Sequence, residues 1–290
     1  MATIVVTGAT GMLGSTLAPL LAAAGYTVLR HGHSGTADLQ ADLRDYPSTA
    51  AMLDAAQPDC IVNLVALTNV DHCERDPQAA YLLNAASVEH LARWMKRHPS
   101  CHLVQISTDH LYDGPGPHDE QQVTIRNTYA LSKLAGELAA GCVPSTVLRT
   151  NFFGRSRCAG RASFSDWLYG ALRAGTPITV FDDVQFSPLS IETLCAMIAR
   201  VVAQRPLGVY NLGARDGMSK ADFAYALAAA LQLPDSALRR TVSTDSAALS
   251  ARRPTDMRMD CSRFEQALGV RLPTLHDEIL SLRSVYREPA

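Results

Sequence analysis

The chain has 290 residues, 47% of them hydrophobic and 19% charged, with a formal net charge of −2. That composition suits a globular fold with a substantial core, built as one large domain or as a domain with a smaller lobe, and it excludes a disordered chain. The charge balance offers no basic footprint for nucleic acid and no polybasic patch for a membrane surface.

The longest apolar stretch near the start, TLAPLLAAAG, is ten residues and holds a proline, too short to span a bilayer. No basic lead precedes it, so it does not read as a secretory signal. The seven cysteines (Cys60, Cys73, Cys101, Cys142, Cys158, Cys195 and Cys261) form no C-x-x-C pair, and reduced thiols in a cytoplasmic protein are expected. The nine histidines show no ligand spacing. His31 and His33 read as surface or ligand-edge residues rather than a metal pair, and no protein-bound metal is expected.

In chain order, TIVVT (3–7) reads as a buried strand, followed by a helix from about Met12 to Ala24. Between them lies Gly8-x-x-Gly11-x-x-Gly14. Glycine is needed where a turn is tight and backbone must approach a pyrophosphate, and the helix N-terminus offers N–H groups and partial positive charge. After a first strand and before an α/β pattern, this loop predicts dinucleotide binding, with Gly8, Thr10, Gly11, Met12, Leu13 and Gly14 against the cofactor. The next strand, YTVLR (26–30), ends on Arg30 with no carboxylate before Asp38, which favours the 2′-phosphate of NADP; a solvated strand end is the alternative. Asp42 and Leu43 are placed to flank the adenine.

DCIVNLVA (59–66) reads as a strand and about Gln78 to Arg97 as one long helix. CHLVQIS (101–107), the helix of NTYALSKLAGE and STVLRT (145–150) follow. Strands alternating with helices imply a parallel, doubly wound α/β sheet of Rossmann type. After Thr150, helices are predicted at 163–175 and 190–204, strands at PITVF and GVYNLG (208–213), and a mostly helical tail over 219–290 broken at ARRPTDMRMD. The expected organisation is a dinucleotide-binding domain over 1–150 with a return segment at about 187–212. A smaller, interleaved, mostly helical substrate lobe takes about 151–186 and 213–290.

Only Lys96, Lys133 and Lys220 are lysines; the other 23 basic residues are arginines. Lys133 stands four places after Tyr129, on one helix face. A chance Tyr-x-x-x-Lys is expected about 0.1 times in a chain of this composition. A phenol is a poor acid near neutral pH, and a nearby ammonium stabilises its anion.

Taken in order, TGATGMLG, ADLRD, NLVALTNVD, ISTDHLYDG, TYALSKLAGE and LRTNFFG resemble the extended branch of the short-chain dehydrogenase/reductase superfamily. STDHLYDG (107–114), VFDDVQFSPLS (180–190) and the RRP…MD stretch (252–260) resemble the dTDP-4-dehydrorhamnose reductase group. The resemblance implies an NADPH-dependent reductase of nucleotide-linked 4-keto-6-deoxy sugars, with NADPH favoured over NADH. It implies that Tyr129 is the proton donor, Lys133 its helper and Thr108 the hydroxyl on the substrate carbonyl. Val65, Ala66 and Leu67 would pass near the cofactor, and Asn84 would hold backbone in place.

For the substrate it implies Thr108, Asp109, Asn151, Gln185 and Arg253, with Trp167 either packing or lining the sugar pocket. Relatives are often dimers, so a homodimer is allowed. His110 and Leu111 replace the aromatic–aliphatic pair more usual after STD, and TNFF replaces a serine–tryptophan version; both bear on substrate identity. A 4,6-dehydratase is disfavoured because His110 stands where a glutamate is needed. An epimerase using the same Tyr and Lys is one alternative. A non-catalytic regulatory subunit resembling that of methionine adenosyltransferase is the other.

Overall fold

The computed structural model describes residues 1–33, 35–243 and 250–287. The 244–249 and 288–290 ends of the tail reading lie outside the described residues. Packing divides the chain into two compact units. The first comprises Met1–Thr108, Arg126–Arg149 and Cys195–Tyr210, and the second comprises the described residues of Asp109–Ile125, Thr150–Leu194 and Asn211–Ala290. Segment 109–125, which the sequence reading leaves in the first domain, packs with the second unit.

The first unit is built on β1 (Thr3–Thr7), β2 (Thr27–Gly32), β3 (Leu39–Gln40), β4 (Cys60–Asn63), β5 (His102–Ile106) and β6 (Ser145–Thr150). These pair in parallel, and with strand Gly208–Leu212 the sheet order is Gly208–Leu212, β6, β5, β4, β1, β2, β3. Runs such as Ile4, Val5 and Val6 are fully buried, as strands covered on both faces require. The chain moves from β1 outward to β3 and then returns to β4 on the other side. That reversal opens a crevice at the carboxyl ends of β1 and β4, where open α/β sheets hold their ligands.

Helices α1 (Met12–Ala23), α2 (Tyr46–Ala56), α3 (Val70–Arg75), α4 (Pro77–Tyr81), α5 (Ser87–Met95) and α6 (Thr128–Ala140) cover the sheet. Leu53, Ile61, Leu91, Trp94, Met95 and Leu103 form one core cluster, each burying about 1.5–3 kcal/mol of apolar side chain. The single long helix expected over 78–97 is instead α4, a π-helical turn at Leu82–Ala86, and α5. Apolar periodicity runs through the segment, but close packing widens it. A Cβ on Gly136 of α6 would lie 2.2 Å from the Asn84 carbonyl oxygen, so the helices meet backbone to backbone at this turn.

In the second unit the predicted helix is Phe164–Ala174, closed at its start by a reciprocal Ser163–Asp166 capping box. Strand Ile178–Phe181 pairs in parallel with Leu238–Thr241, a strand the helical reading of the tail missed because its sequence, LRRT, carries no apolar alternation. Helices Lys220–Leu231, Ser262–Leu268 and Leu275–Arg287 supply the rest of that tail. No helix among the described residues is long and apolar enough to cross a membrane.

Candidate active site

The glycine loop needs its glycines individually. Gly8 adopts φ +65°, and a Cβ there would come within 3.2 Å of Leu64 and Val65 backbone on the β4 loop. A Cβ on Gly14 would lie 2.5 Å from Ala9 Cα, so only glycine lets α1 close on the turn after β1. Gly11 caps α1 with no side-chain hydrogen bond, and no acidic residue occupies the first turn. Thr10 is exposed, Met12 half-buried and Leu13 buried beside this end. The helix end therefore presents N–H groups and partial positive charge to an anion, and the cradle fits a dinucleotide pyrophosphate.

His31 is not a surface residue. It is buried, its Nδ1 accepts from Gly8 N–H at 3.4 Å, and its Nε2 meets the Ala41 carbonyl at 3.0 Å. Burial lowers its pKa, keeping the ring neutral, as an Nδ1 acceptor and Nε2 donor must be. The ring ties the glycine loop to the segment leading to Asp42.

Arg30 holds Asp38 in a two-pronged ion pair, Nε at 3.0 Å and Nη2 at 2.9 Å. Asp42 is gripped likewise by Arg44, which takes its pKa down to about 2. Leu43 turns into the core with 3% exposure, and its carbonyl meets His90 Nδ1 at 2.9 Å.

A polar row crosses the carboxyl ends of three strands. Thr7 Oγ1 donates to Asn63 Oδ1 at 2.5 Å, and Asn63 Nδ2 donates to Gln105 Oε1 at 2.7 Å. Asn63 Oδ1 also accepts from Val65 N–H at 3.3 Å, which fixes the start of the half-buried Val65, Ala66 and Leu67 loop. Asn84 clamps the far end: its Oδ1 accepts from Leu67 N–H at 2.7 Å, and its Nδ2 donates to the Leu67 carbonyl and to Ser132 Oγ. The polar residue at or next to the end of each apolar strand (VVT, IVN, VQI) is a visible signal for this row.

Helix α6 is capped by Asn127, whose side chain accepts from Ala130 N–H at 2.9 Å. Tyr129 in the first turn is 7% exposed, Lys133 one turn on is 4% exposed, and Thr108, just beyond β5, is also buried. Lys133 Nζ donates to the Ile106 carbonyl at 2.7 Å. Burial takes its pKa down to about 8, against an opposing pull from Glu137.

Beneath it lies a group that sequence reasoning missed. Glu137 accepts from Ser107 Oγ at 2.5 Å and from Arg149 at 3.0 Å (Nε) and 2.7 Å (Nη2), with both charged side chains only 4% exposed. The pair pins the end of β5, and so the residues around Thr108, to α6 and β6.

In the second unit, Asn151 Nδ2 donates to Asp109 Oδ2 at 2.7 Å, so these two expected substrate residues stand together. Trp167 is 45% exposed on its helix, while Gln185 pairs with Ser219 in a short ladder. Arg253 Nη1 donates to the Ala251 carbonyl at 2.8 Å. His110 has its pKa pushed down to about 3 by burial, with Lys220 and Arg253 adding to the shift. Among the described residues no group of three or more His, Cys, Asp or Glu could hold a metal ion. The thiols of Cys60, Cys101 and Cys261 are raised to about 12 by burial, and burial raises Cys73 as well.

A glycine-cradled helix at the sheet's reversal point, with a Tyr-x-x-x-Lys turn beside β5, defines the extended short-chain dehydrogenase/reductase type of fold. The chain belongs to the RmlD substrate binding domain family, whose model matches residues 1–286. It is 30% identical to the dTDP-4-dehydrorhamnose reductase of Escherichia coli over 92% of each chain. It is 26% identical to the probable low-salt glycan biosynthesis reductase Agl14 of Haloferax volcanii over 98% of each. It is also 28% identical to methionine adenosyltransferase 2 subunit beta of Danio rerio, over 90% of this chain and 84% of that one. Among solved structures, a hypothetical dTDP-4-dehydrorhamnose reductase from Sulfolobus tokodaii is 30% identical, with a TM-score of 0.85 over 96% of this chain and 99% of that one.

Proposed function

We propose that the protein is an NADPH-dependent reductase of a nucleotide-linked 4-keto-6-deoxy sugar. The observation that carries the reading is Lys133: a buried ammonium, fixed at 2.7 Å on the Ile106 carbonyl, one helical turn from Tyr129 in a fold of this family. When bound, the dinucleotide supplies a hydride for the C4 carbonyl. Gly8, Thr10, Gly11, Met12, Leu13 and Gly14 hold its pyrophosphate, and Val65, Ala66 and Leu67 line its path. Tyr129 gives its proton to the carbonyl oxygen as negative charge develops there. Lys133 keeps that phenol acidic and binds the nicotinamide ribose. A compact ammonium does this where a planar guanidinium would not. Thr108 donates a hydrogen bond to the same oxygen, and Asp109, Asn151, Gln185 and Arg253 bind the sugar nucleotide.

The test is NADPH oxidation with TDP-, GDP-, UDP- and CDP-linked 4-keto-6-deoxy sugars; oxidation with at least one supports the reading. An epimerase would instead keep its nucleotide bound and consume none. The methionine adenosyltransferase subunit among its relatives favours a second reading, a non-catalytic NADP-binding partner subunit. No oxidation with any sugar, together with co-purification of a second enzyme, would select it.

Arg30 is the residue proposed for the 2′-phosphate, yet its guanidinium already grips Asp38. Exposed ion pairs of this kind are weak, so the phosphate competes with Asp38. Asp38→Asn is therefore expected to tighten NADPH by about two- to fivefold while leaving NADH unchanged, read by fluorescence titration. An equal change for both cofactors would separate Arg30 from the 2′-phosphate.

A further inference from the structure

Lys133 is an ammonium in unfavourable surroundings. It is 4% exposed, and its Nζ bond at 2.7 Å goes to the neutral Ile106 carbonyl, which brings no counter-charge. A buried cation tends to shed its proton unless an anion stands near it. Neutral Lys133 would lack the charge that makes the Tyr129 phenol acidic. On its own helix, Tyr129 lies one turn before it and Glu137 one turn after. From α3 comes Cys73, whose thiol is raised by burial and acts on Lys133 in the same direction as Glu137, but more weakly.

Glu137 is the carboxylate of this set. Side chains four apart on a helix are neighbours, with Cβ atoms about 5–6 Å apart. Its place is fixed from two strands. Ser107 Oγ donates to it at 2.5 Å from beyond the end of β5, and Arg149 donates from β6 at 3.0 Å and 2.7 Å. In general a buried ion pair can be replaced by well-packed apolar residues with little or no loss of stability. An apolar pair could not, however, supply a negative charge beside Lys133. The pull of Glu137 is the largest that opposes burial at that ammonium.

We infer that Glu137 is a positioning residue of the reaction: its carboxylate, held in place by Ser107 and Arg149, keeps Lys133 an ammonium beside Tyr129. The inference rests on the reductase reading above and adds the group that maintains the charge which that reading needs.

The chain has only three lysines, so the charge on one of them can be followed directly. Lysine isotopically labelled at Cε gives one carbon NMR resonance per residue, and Lys133→Met identifies the one that vanishes. In the full wild-type chain that resonance is expected to titrate at about 8. In the double variant Glu137→Gln with Arg149→Met, which leaves no orphaned charge, the midpoint should fall by about one pH unit, a tenfold loss of proton affinity. Glu137→Gln alone should fall further, because Arg149 is then an unbalanced cation nearby. Ser107→Ala and Glu137→Asp keep the carboxylate, and their midpoints should stay within about 0.3 pH of the wild type. With a keto sugar that is turned over, the alkaline limb of kcat/KM should move with the resonance in each variant. A purely structural pair would change melting temperature or rate and leave the Lys133 midpoint in place, which would overturn the inference. A midpoint that falls as far in Ser107→Ala as in the double variant would overturn it too. The titration needs no substrate, so a silent sugar panel removes the reductase reading while the resonance still decides what holds the charge on Lys133.

Discussion

Tyr129→Phe is expected to lower kcat by about 10²–10⁴-fold, the usual contribution of a positioned proton donor, while NADPH binding stays within about twofold. The ring is buried and its replacement is nearly isosteric, so the loss falls on proton transfer rather than folding. Stopped-flow NADPH oxidation with separate cofactor titration distinguishes the two, and near-normal turnover would dismiss Tyr129 as the donor. The accompanying pH profile has a definite sign. Lys133 is charged below about 8 and loses its proton above it. Assistance to the phenol is therefore complete on the acid side, and kcat/KM should fall as pH rises through about 8. Lys133→Met should flatten that limb at a uniformly low rate.

Glu137→Gln is expected to cost about 3–5 kcal/mol of stability, because it leaves the Arg149 guanidinium buried without its anion. For a chain of this size that is a fall in Tm on the order of 10 °C. The double replacement Glu137→Gln with Arg149→Met should recover most of the loss, since removing both charges also removes the desolvation penalty. Thermal melts of the three variants form the cycle. A single variant that melts within about 1 kcal/mol of the wild type would show that water reaches the pair.

Much of this architecture is legible in the sequence, because short apolar strands and the spacing of Gly8, Gly11 and Gly14 encode local geometry directly. That Tyr129 and Lys133 stand one turn apart on a single helix could be read from periodicity alone. Features created by long-range packing could not. Glu137 and Arg149 lie inside the quoted motifs, but charged residues on a helix and a strand read as solvated until tertiary contact buries them together. His31 reads as a surface or ligand-edge residue, yet it is buried and accepts a hydrogen bond from Gly8 N–H. The ion pair of Arg30 with Asp38 is likewise not legible, because a spacing of eight residues fixes no contact by itself.

The widened turn at Leu82–Ala86 has a consequence for chain length. One surplus residue there lies between two faces of what looks like a single helix. On one side, Asn84 grips Leu67; on the other, Leu91 and Trp94 enter the core. A wide turn rotates the chain by less per residue than the α-helical 100° or so, and the surplus residue is absorbed without turning either face away from its partner. Removing one residue from the turn while keeping Asn84 would let it close to ordinary α-helix with Leu91 and Trp94 still facing the core. An insertion further along the helix, where no widened turn absorbs it, would instead rotate the indole towards solvent.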